Sequence, residues 1–270
     1  MRRNFAQVLR EGKIDIKNEY IKLYDLFYYT DGCRDISIEE LIEENFGQIN
    51  FWGTCLSLDE FNECYGFEFE RIPQNFGVDY LVSFCEYYYN FVNAISSRDF
   101  YTPDKGFYIS HVTKVIDAIG YMFAQEDGFT IFVPKDNAAI AVSESELIPK
   151  AVSYKIIAYN HHAKKGDLEA KRQILLALSD LLEPKRKDLE LVDKQFASDL
   201  FYALNNFNVR HNNVDPTGPK YKKPVGDLSE AKLEQWYDEV YQMCLMAFMR
   251  LDHVPRKKIF DELKGKIENK

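Results

Sequence analysis

Residues 196–213 read FASDLFYALNNFNVRHNN and lead into DPTGPKYKKPVGD at 215–227, a stretch broken by proline and glycine. Apolar side chains recur every three or four positions through the first stretch, which predicts an amphipathic helix over 192–213. At about 100° per residue, Arg210 and His211 then lie on either side of the apolar stripe, at the end of the helix. A cation and a titratable ring beside an irregular loop make this the first place to look for chemistry.

Asparagines crowd the same helix end, with five of them between 205 and 213. Because asparagine is a mediocre helix former, their density indicates a purpose other than helix stability. A plain helix ending remains the alternative: Arg210 suits the negative end of the helix dipole, and Asn212 or Asn213 can form a left-handed cap.

The composition is that of a globular protein of 270 residues, 46% hydrophobic and 15% aromatic. No run approaches the roughly 20 apolar residues that span a bilayer, and the basic N-terminus lacks the apolar core of a secretory signal. The five cysteines include no CxxC pair, which indicates reduced thiols. Together these features predict a cytoplasmic protein with no membrane partner.

Charge is spread unevenly along the chain. Residues 1–148 hold 12 Lys and Arg against 25 Asp and Glu, whereas residues 149–270 hold 22 against 18. The first part is therefore strongly acidic and the second slightly basic, which favours an anionic partner for the second part.

Helical periodicity runs through most of the chain and predicts a mainly α protein. We expect an acidic N-terminal helical region at 1–100, a connecting region with a small β-hairpin at 101–147, and a helical bundle at 148–270. Short β-rich runs around a Gln-Glu-Asp-Gly turn at 120–134 predict the hairpin, and alternation at 65–72 suits a short strand. The predicted helices cover 1–30, 37–47, 57–65, 79–95, 108–119, 136–144, 152–162, 167–182, 192–213 and 229–251, with a short charged helix after Pro255.

Most sequence motifs of catalysis are missing from the chain. It contains no HExxH, Cys/His quartet, P-loop, Rossmann fingerprint or GxSxG elbow. His161 and His162 adjoin at a predicted helix end, where neighbouring side chains point about 100° apart and share a metal ion poorly. We therefore predict no metal and no cofactor.

The helix ending in Arg210, the loop and the long helix after it resemble the signature of HEPN domains. The wider resemblance covers about 147–253 and includes IIAYNHHAKKGDLEAKRQILLALSDLLEPKRKDLE, DLFYALNNFNVRHNN and LSEAKLEQWYDEVYQMCLMAF. HEPN domains are small helical bundles, many of them ribonucleases of antiphage abortive-infection and toxin systems. Their motif is an arginine, a polar residue and, after four to six positions, a histidine. Arg210 and His211 match its start, but no histidine follows in HNNVDPT.

The resemblance implies a metal-independent endoribonuclease, and the residue chemistry suits one. Such cleavage uses the ribose 2′-hydroxyl as nucleophile, a group that moves protons near neutral pH, and a cation that holds the phosphorane charge. We assign catalysis to Arg210, His211 and Asn206. The residues predicted to bind RNA lie in or next to the loop: Asn213, Lys220, Tyr221, Lys222 and Lys223.

The missing second histidine leaves an alternative open, a non-catalytic HEPN-like module for dimerisation within a defence complex. The predicted partners are RNA, a second copy through the face of Phe207, Arg210 and His211, and a second protein of a defence operon. We expect no DNA partner.

Overall fold

The computed structural model describes residues 14–30, 36–49, 53–96, 99 and 104–268. Helices dominate this part of the chain, and its only strands form one two-stranded sheet, which confirms the predicted mainly α class with a small hairpin. Contacts divide the chain into two compact units, Met1–Phe132 and Val133–Lys270. The domain boundaries predicted at 100 and 147 stay a prediction.

The first unit holds five helices and the hairpin within its described residues. They are α1 (Ile16–Tyr28), α2 (Ile38–Asn45), α3 (Leu58–Tyr65), α4 (Val78–Ala94), α5 (Lys105–Ala118), β1 (Tyr121–Glu126) and β2 (Phe129–Pro134, which crosses the boundary). The predicted helix over 1–30 is confirmed from Ile16 onward, and its first 13 residues lie outside the described part.

Local signals set several of these ends. Ser37 and Glu40 form the predicted capping box at the start of α2. Gly66 ends α3 in the left-handed conformation, with φ 71°. Asp127 and Gly128 join the two strands, both with positive φ, as a two-residue type I′ turn requires.

Helix α4 is the centre of the first unit. Its Phe84 packs edge-on against Tyr20 of α1, and its Tyr88 lies 5.2 Å from Phe27, measured between ring centroids. Asn90 holds the hairpin against the same helix: its amide donates to the carbonyl of Thr130 and accepts from the N–H of that residue. The high aromatic content therefore builds a core of interlocking rings.

The short strand considered at 65–72 is wrong, since none of these residues is in a strand. Two tyrosine hydroxyls bind the backbone here instead. The Tyr20 hydroxyl donates to the carbonyl of Glu70, and the N–H of Glu70 donates to the hydroxyl of Tyr80. A segment whose backbone groups bond to side chains needs no strand partner.

Apart from the last two residues of β2, the regular structure of the second unit is helical. Its helices are α6 (Asn137–Ser143), α7 (Lys150–Ala158), α8 (Leu168–Leu182), α9 (Arg186–Val192), α10 (Lys194–Asn206), α11 (Lys223–Gly226) and α12 (Glu230–Glu268), with 3₁₀ turns at His162–Lys164 and Glu183–Lys185. Helix α12 packs against α6, α8, α9 and α10. Aspartates cap the starts of three helices: Asp136 before α6, Asp167 before α8 and Asp193 before α10.

Helix α12 is longer than predicted, because Pro255 lies inside it rather than between two helices. Proline has no N–H, so the hydrogen bond from position 255 to the carbonyl of Leu251 is lost. Its fixed φ is nevertheless compatible with the helix. The residues that follow, Arg-Lys-Lys-Ile-Phe-Asp-Glu-Leu-Lys, include several strong helix formers that continue it. Among the described residues, no helix has both the length and the apolar character needed to span a membrane.

Candidate functional site

Helix α10 ends at Asn206, so the predicted extension to 213 is wrong. Phe207 is its C-terminal cap, Asn208 turns to a positive φ of 60°, and the N–H of Arg210 donates to the carbonyl of Leu204. Arg210 and His211 therefore lie in the bend after the helix and do not flank its apolar stripe. The left-handed asparagine is Asn208 rather than Asn212 or Asn213, and asparagine adopts this conformation at low cost.

Asn208 and Asn213 form a pair of hydrogen bonds, the clamp, that fixes the shape of this bend. Each donates its backbone N–H to the side-chain oxygen of the other, at 2.9 and 3.0 Å. The Asn213 amide also donates to the carbonyl of Lys220, and its own carbonyl accepts from the N–H of Lys222. Asn213 is only 1% exposed. A buried side chain with these partners orders the loop, and its burial argues against the predicted contact between Asn213 and RNA.

Side chains of two helices of the bundle, α12 and α8, form hydrogen bonds with Asn208 of the clamp. The Tyr237 hydroxyl of α12 bonds to both the side chain and the carbonyl of Asn208, and burial raises the pKa of that hydroxyl. Arg172 of α8 donates its Nε to the same carbonyl, at 2.8 Å. The bend therefore has a fixed backbone, although it belongs to no helix.

Arg210 forms an ion pair with Glu183, in the 3₁₀ turn that follows α8. Glu183 could not be found from the sequence, because 27 residues separate the two partners. Both side chains keep contact with solvent, Arg210 at 25% and Glu183 at 42% exposure. The pair brings the bend beside a basic run, Lys185-Arg186-Lys187, in which Arg186 also pairs with Glu190. A phosphate that reaches Arg210 therefore competes with one carboxylate.

His211 follows Arg210 and is half-buried in the same bend. Asn206 lies in the last turn of α10, where its amide donates back to the carbonyl of Tyr202. The structure therefore places Arg210 and His211 together in the fixed bend. Their catalytic roles, and that of Asn206, stay predictions.

The three loop lysines, Lys220, Lys222 and Lys223, are exposed. The loop is more ordered than expected, because Lys223 begins the short helix α11. Tyr221 is half-buried, and a Cβ added to Gly226 would lie 2.7 Å from its ring. Glycine at position 226 thus leaves room for the Tyr221 ring, which a larger residue would displace.

A second polar cluster, which the sequence did not reveal, lies between α8 and α12. Lys171 of α8 is 7% exposed, and its ammonium lies 2.7 Å from Glu234 and 2.7 Å from Asp238, both on α12. The Tyr159 hydroxyl donates to Asp238, and its ring stacks on Tyr241 at 3.9 Å. Every ionised group of this cluster has a partner, so it ties α8 to α12 and to Tyr159, the residue after α7.

His161 and His162 lie outside α7, which ends at Ala158, and His162 begins the 3₁₀ turn at His162–Lys164. Nδ1 of His161 accepts the N–H of Ala163, and the two imidazole rings lie 4.3 Å apart. The predicted place of the two histidines on an α-helix, from which we inferred that they share a metal ion poorly, is therefore wrong. The expectation of no metal stays a prediction.

Comparisons with protein-family models, with curated proteins and with solved structures found no match for this chain.

Proposed function

We propose that this protein is a metal-independent endoribonuclease of the HEPN type. The observation that supports it most is the fixed bend, which presents Arg210 beside His211 and pairs Arg210 with the carboxylate of Glu183. A guanidinium can hold the charge of the phosphorane, and an imidazole and a carboxylate can transfer protons, which are the tasks of metal-free RNA cleavage.

Phosphate binding starts the proposed reaction. An RNA phosphate takes two donors of Arg210 and displaces Glu183, because a guanidinium binds phosphate as well as carboxylate in a bidentate manner. The exposed lysines of the loop hold the neighbouring phosphates, and the Tyr221 ring stacks on a base.

Proton transfer completes the reaction. Glu183, released from Arg210, accepts the proton of the 2′-hydroxyl, and the 2′-oxygen attacks phosphorus. His211 in its protonated form gives a proton to the 5′-oxygen as the bond from phosphorus to that oxygen breaks. The products are a 2′,3′-cyclic phosphate and a 5′-hydroxyl. Arg210 holds the charge of the phosphorane throughout.

The likeness to HEPN ribonucleases supports a role in antiphage defence, with RNA as the substrate. The proposal needs no second histidine, because Glu183 supplies the second group that transfers protons. This difference separates it from the motif that the chain resembles.

Purified protein should cleave tRNA or single-stranded RNA in EDTA, and Arg210→Ala or His211→Ala should remove the activity. Arg71→Ala and His111→Ala are matched controls in the first unit, since Arg71 forms an ion pair with Asp25 and His111 is half-buried beside Glu19. Changing the three loop lysines to alanine should flatten the salt dependence of RNA binding by up to about three phosphate contacts. Activity lost equally in the controls would contradict the assignment.

A second candidate function, a non-catalytic dimerisation module, is favoured by an exposed seam on α12. Apolar side chains lie along it at alternating three- and four-residue spacing, interrupted by His253 and Arg256. The exposed apolar members are Met246, Met249, Phe260, Leu263 and Ile267.

This spacing is the heptad pattern of a coiled coil, so the seam fits a second copy of the same helix. In a parallel pair, Asp252 at a g position faces Lys257 at an e position of the other helix, which gives opposite charges. The dimer predicted through Phe207 is less favoured, because the Phe207 ring is half-buried and packs 4.9 Å from Trp236.

A further inference from the structure

The first unit contains a cavity of about 460 Å³ between α3, α4 and the hairpin. Its volume lies within the range of small-molecule sites, about 300–1,000 Å³. Six aromatic residues form most of its lining: Phe61, Tyr65, Phe67, Tyr87, Phe91 and Phe129. We propose that it is a binding site for a small, flat, uncharged aromatic molecule.

Ring geometry supports a flat ligand. Phe61 and Phe67 lie parallel, with an angle of 1° between their planes, while Phe91 meets Phe61 edge-on at 88°. The ring of Tyr87 also packs against Phe91, with 4.7 Å between the ring centroids. Such a lining offers ring faces and ring edges to a guest, and aromatic pairs favour both arrangements.

The walls are fixed before any ligand binds. The Tyr87 hydroxyl donates to Asn62, and Asn90 makes two bonds to the backbone of Thr130. The N–H of Phe132 donates to the carboxylate of Glu86. A cavity with walls held in this way costs little conformational entropy when it is filled.

The polar groups of the lining favour an uncharged guest. Asn90 and Thr130 bond to each other, so they offer little to a strongly polar ligand. Glu86 places a carboxylate at the wall, and residues 1–148 carry 25 acidic against 12 basic side chains. An anion would therefore meet repulsion at this cavity.

Tyr65 forms the outer wall. Its ring lies 4.8 Å from Phe61, and its hydroxyl would lie 2.9 Å from a Cβ placed on Gly53. Gly53 has a φ of 136°, a conformation that favours glycine. Glycine here thus leaves room for Tyr65 at the mouth of the cavity. At 53% exposure, Tyr65 can be truncated without opening the core.

The test uses N-phenyl-1-naphthylamine, an uncharged flat probe, titrated into the full-length protein and followed by fluorescence and calorimetry. We expect saturable binding with one probe per chain, and weaker binding of its sulfonated analogue, 8-anilino-1-naphthalenesulfonate. No saturable binding of the uncharged probe, or tighter binding of the sulfonate, would overturn the proposal.

Two variants locate the probe. Ile131→Trp fills the cavity and should weaken binding at least about tenfold, whereas Ile72→Trp, at an exposed position outside the lining, should not. Tyr65→Ala should weaken it about three- to tenfold, against no change for Tyr29→Ala at a matched 54% exposure. Circular dichroism checks the fold, and Tyr65→Ala decides alone if Ile131→Trp unfolds. Variants that bind like their controls would refute the site.

Discussion

Lys171→Met should destabilise the second unit, because it leaves Glu234 and Asp238 without their shared cation. The lysine is 7% exposed and lies 2.7 Å from both carboxylates, and its ammonium is 5.3 Å from the centre of the Tyr159 ring. Methionine keeps most of the apolar stem, so the change isolates the charge.

The magnitude follows from exposure. Removing one partner of a fully buried pair costs about 3–5 kcal/mol. Here Glu234 is 21% and Asp238 is 50% exposed, so water can solvate both carboxylates once the lysine is gone. We therefore expect a loss of about 2 kcal/mol of unfolding free energy and a fall of about 6–8 °C in Tm.

Urea and thermal unfolding followed by circular dichroism measure this loss. Lys232→Met is the control, because Lys232 is exposed at the start of α12; it should cost less than about 0.5 kcal/mol. A Lys171→Met protein as stable as this control would refute the reasoning.

The same prediction has a pH dependence. The Lys171 hydrogen bond, followed by the N–H of Gly166, holds the pKa of Glu234 below its usual value. A depressed carboxyl pKa stabilises the fold above the unfolded pKa and loses this effect as the pH falls through the folded value. The difference between the parent and Lys171→Met should therefore shrink below about pH 4.

Two further predictions concern the bend and the seam. Asn213→Ala should cost about 2–3 kcal/mol in urea unfolding, since it removes the bonds to Asn208 and Lys220, whereas exposed Asn212→Ala should cost far less; equal losses would count against the clamp. If α12 pairs two copies, light scattering at tens of micromolar should give a dimer that Leu263→Gln dissociates and Val254→Gln, off the seam, does not. A monomeric parent protein would mean that the seam forms no dimer. A dimer that Leu263→Gln does not dissociate would mean that the interface lies elsewhere.

Features set by neighbouring residues could be predicted from the sequence. The capping box of Ser37 and Glu40 spans four residues, and the turn of Asp127 and Gly128 spans two. In each, the sequence pattern and the hydrogen bond involve the same few positions.

Features set by distant residues could not be predicted. The end of α10 depends on the bonds that Asn208 makes with Asn213, Arg172 and Tyr237, and the partner of Arg210 is 27 positions away. Lys171 and Asp238 are 67 positions apart. The spacing of apolar residues predicted that the helix continues past Asn206, because this spacing carries no information on distant hydrogen-bond partners. The candidate site was therefore found by residue type, while its geometry and Glu183 came from the fold.

The ends of the RNA products test the proposed function most directly. Incubation of the parent protein with tRNA and single-stranded RNA in EDTA should yield 2′,3′-cyclic phosphate and 5′-hydroxyl ends. A 2′-deoxy substitution at the cleaved position should block the reaction, and Glu183→Gln should slow it by about 10²–10⁴-fold, as expected for loss of a general base. An RNA panel left intact by the parent, or cleavage that Arg210→Ala leaves undiminished, would contradict the account.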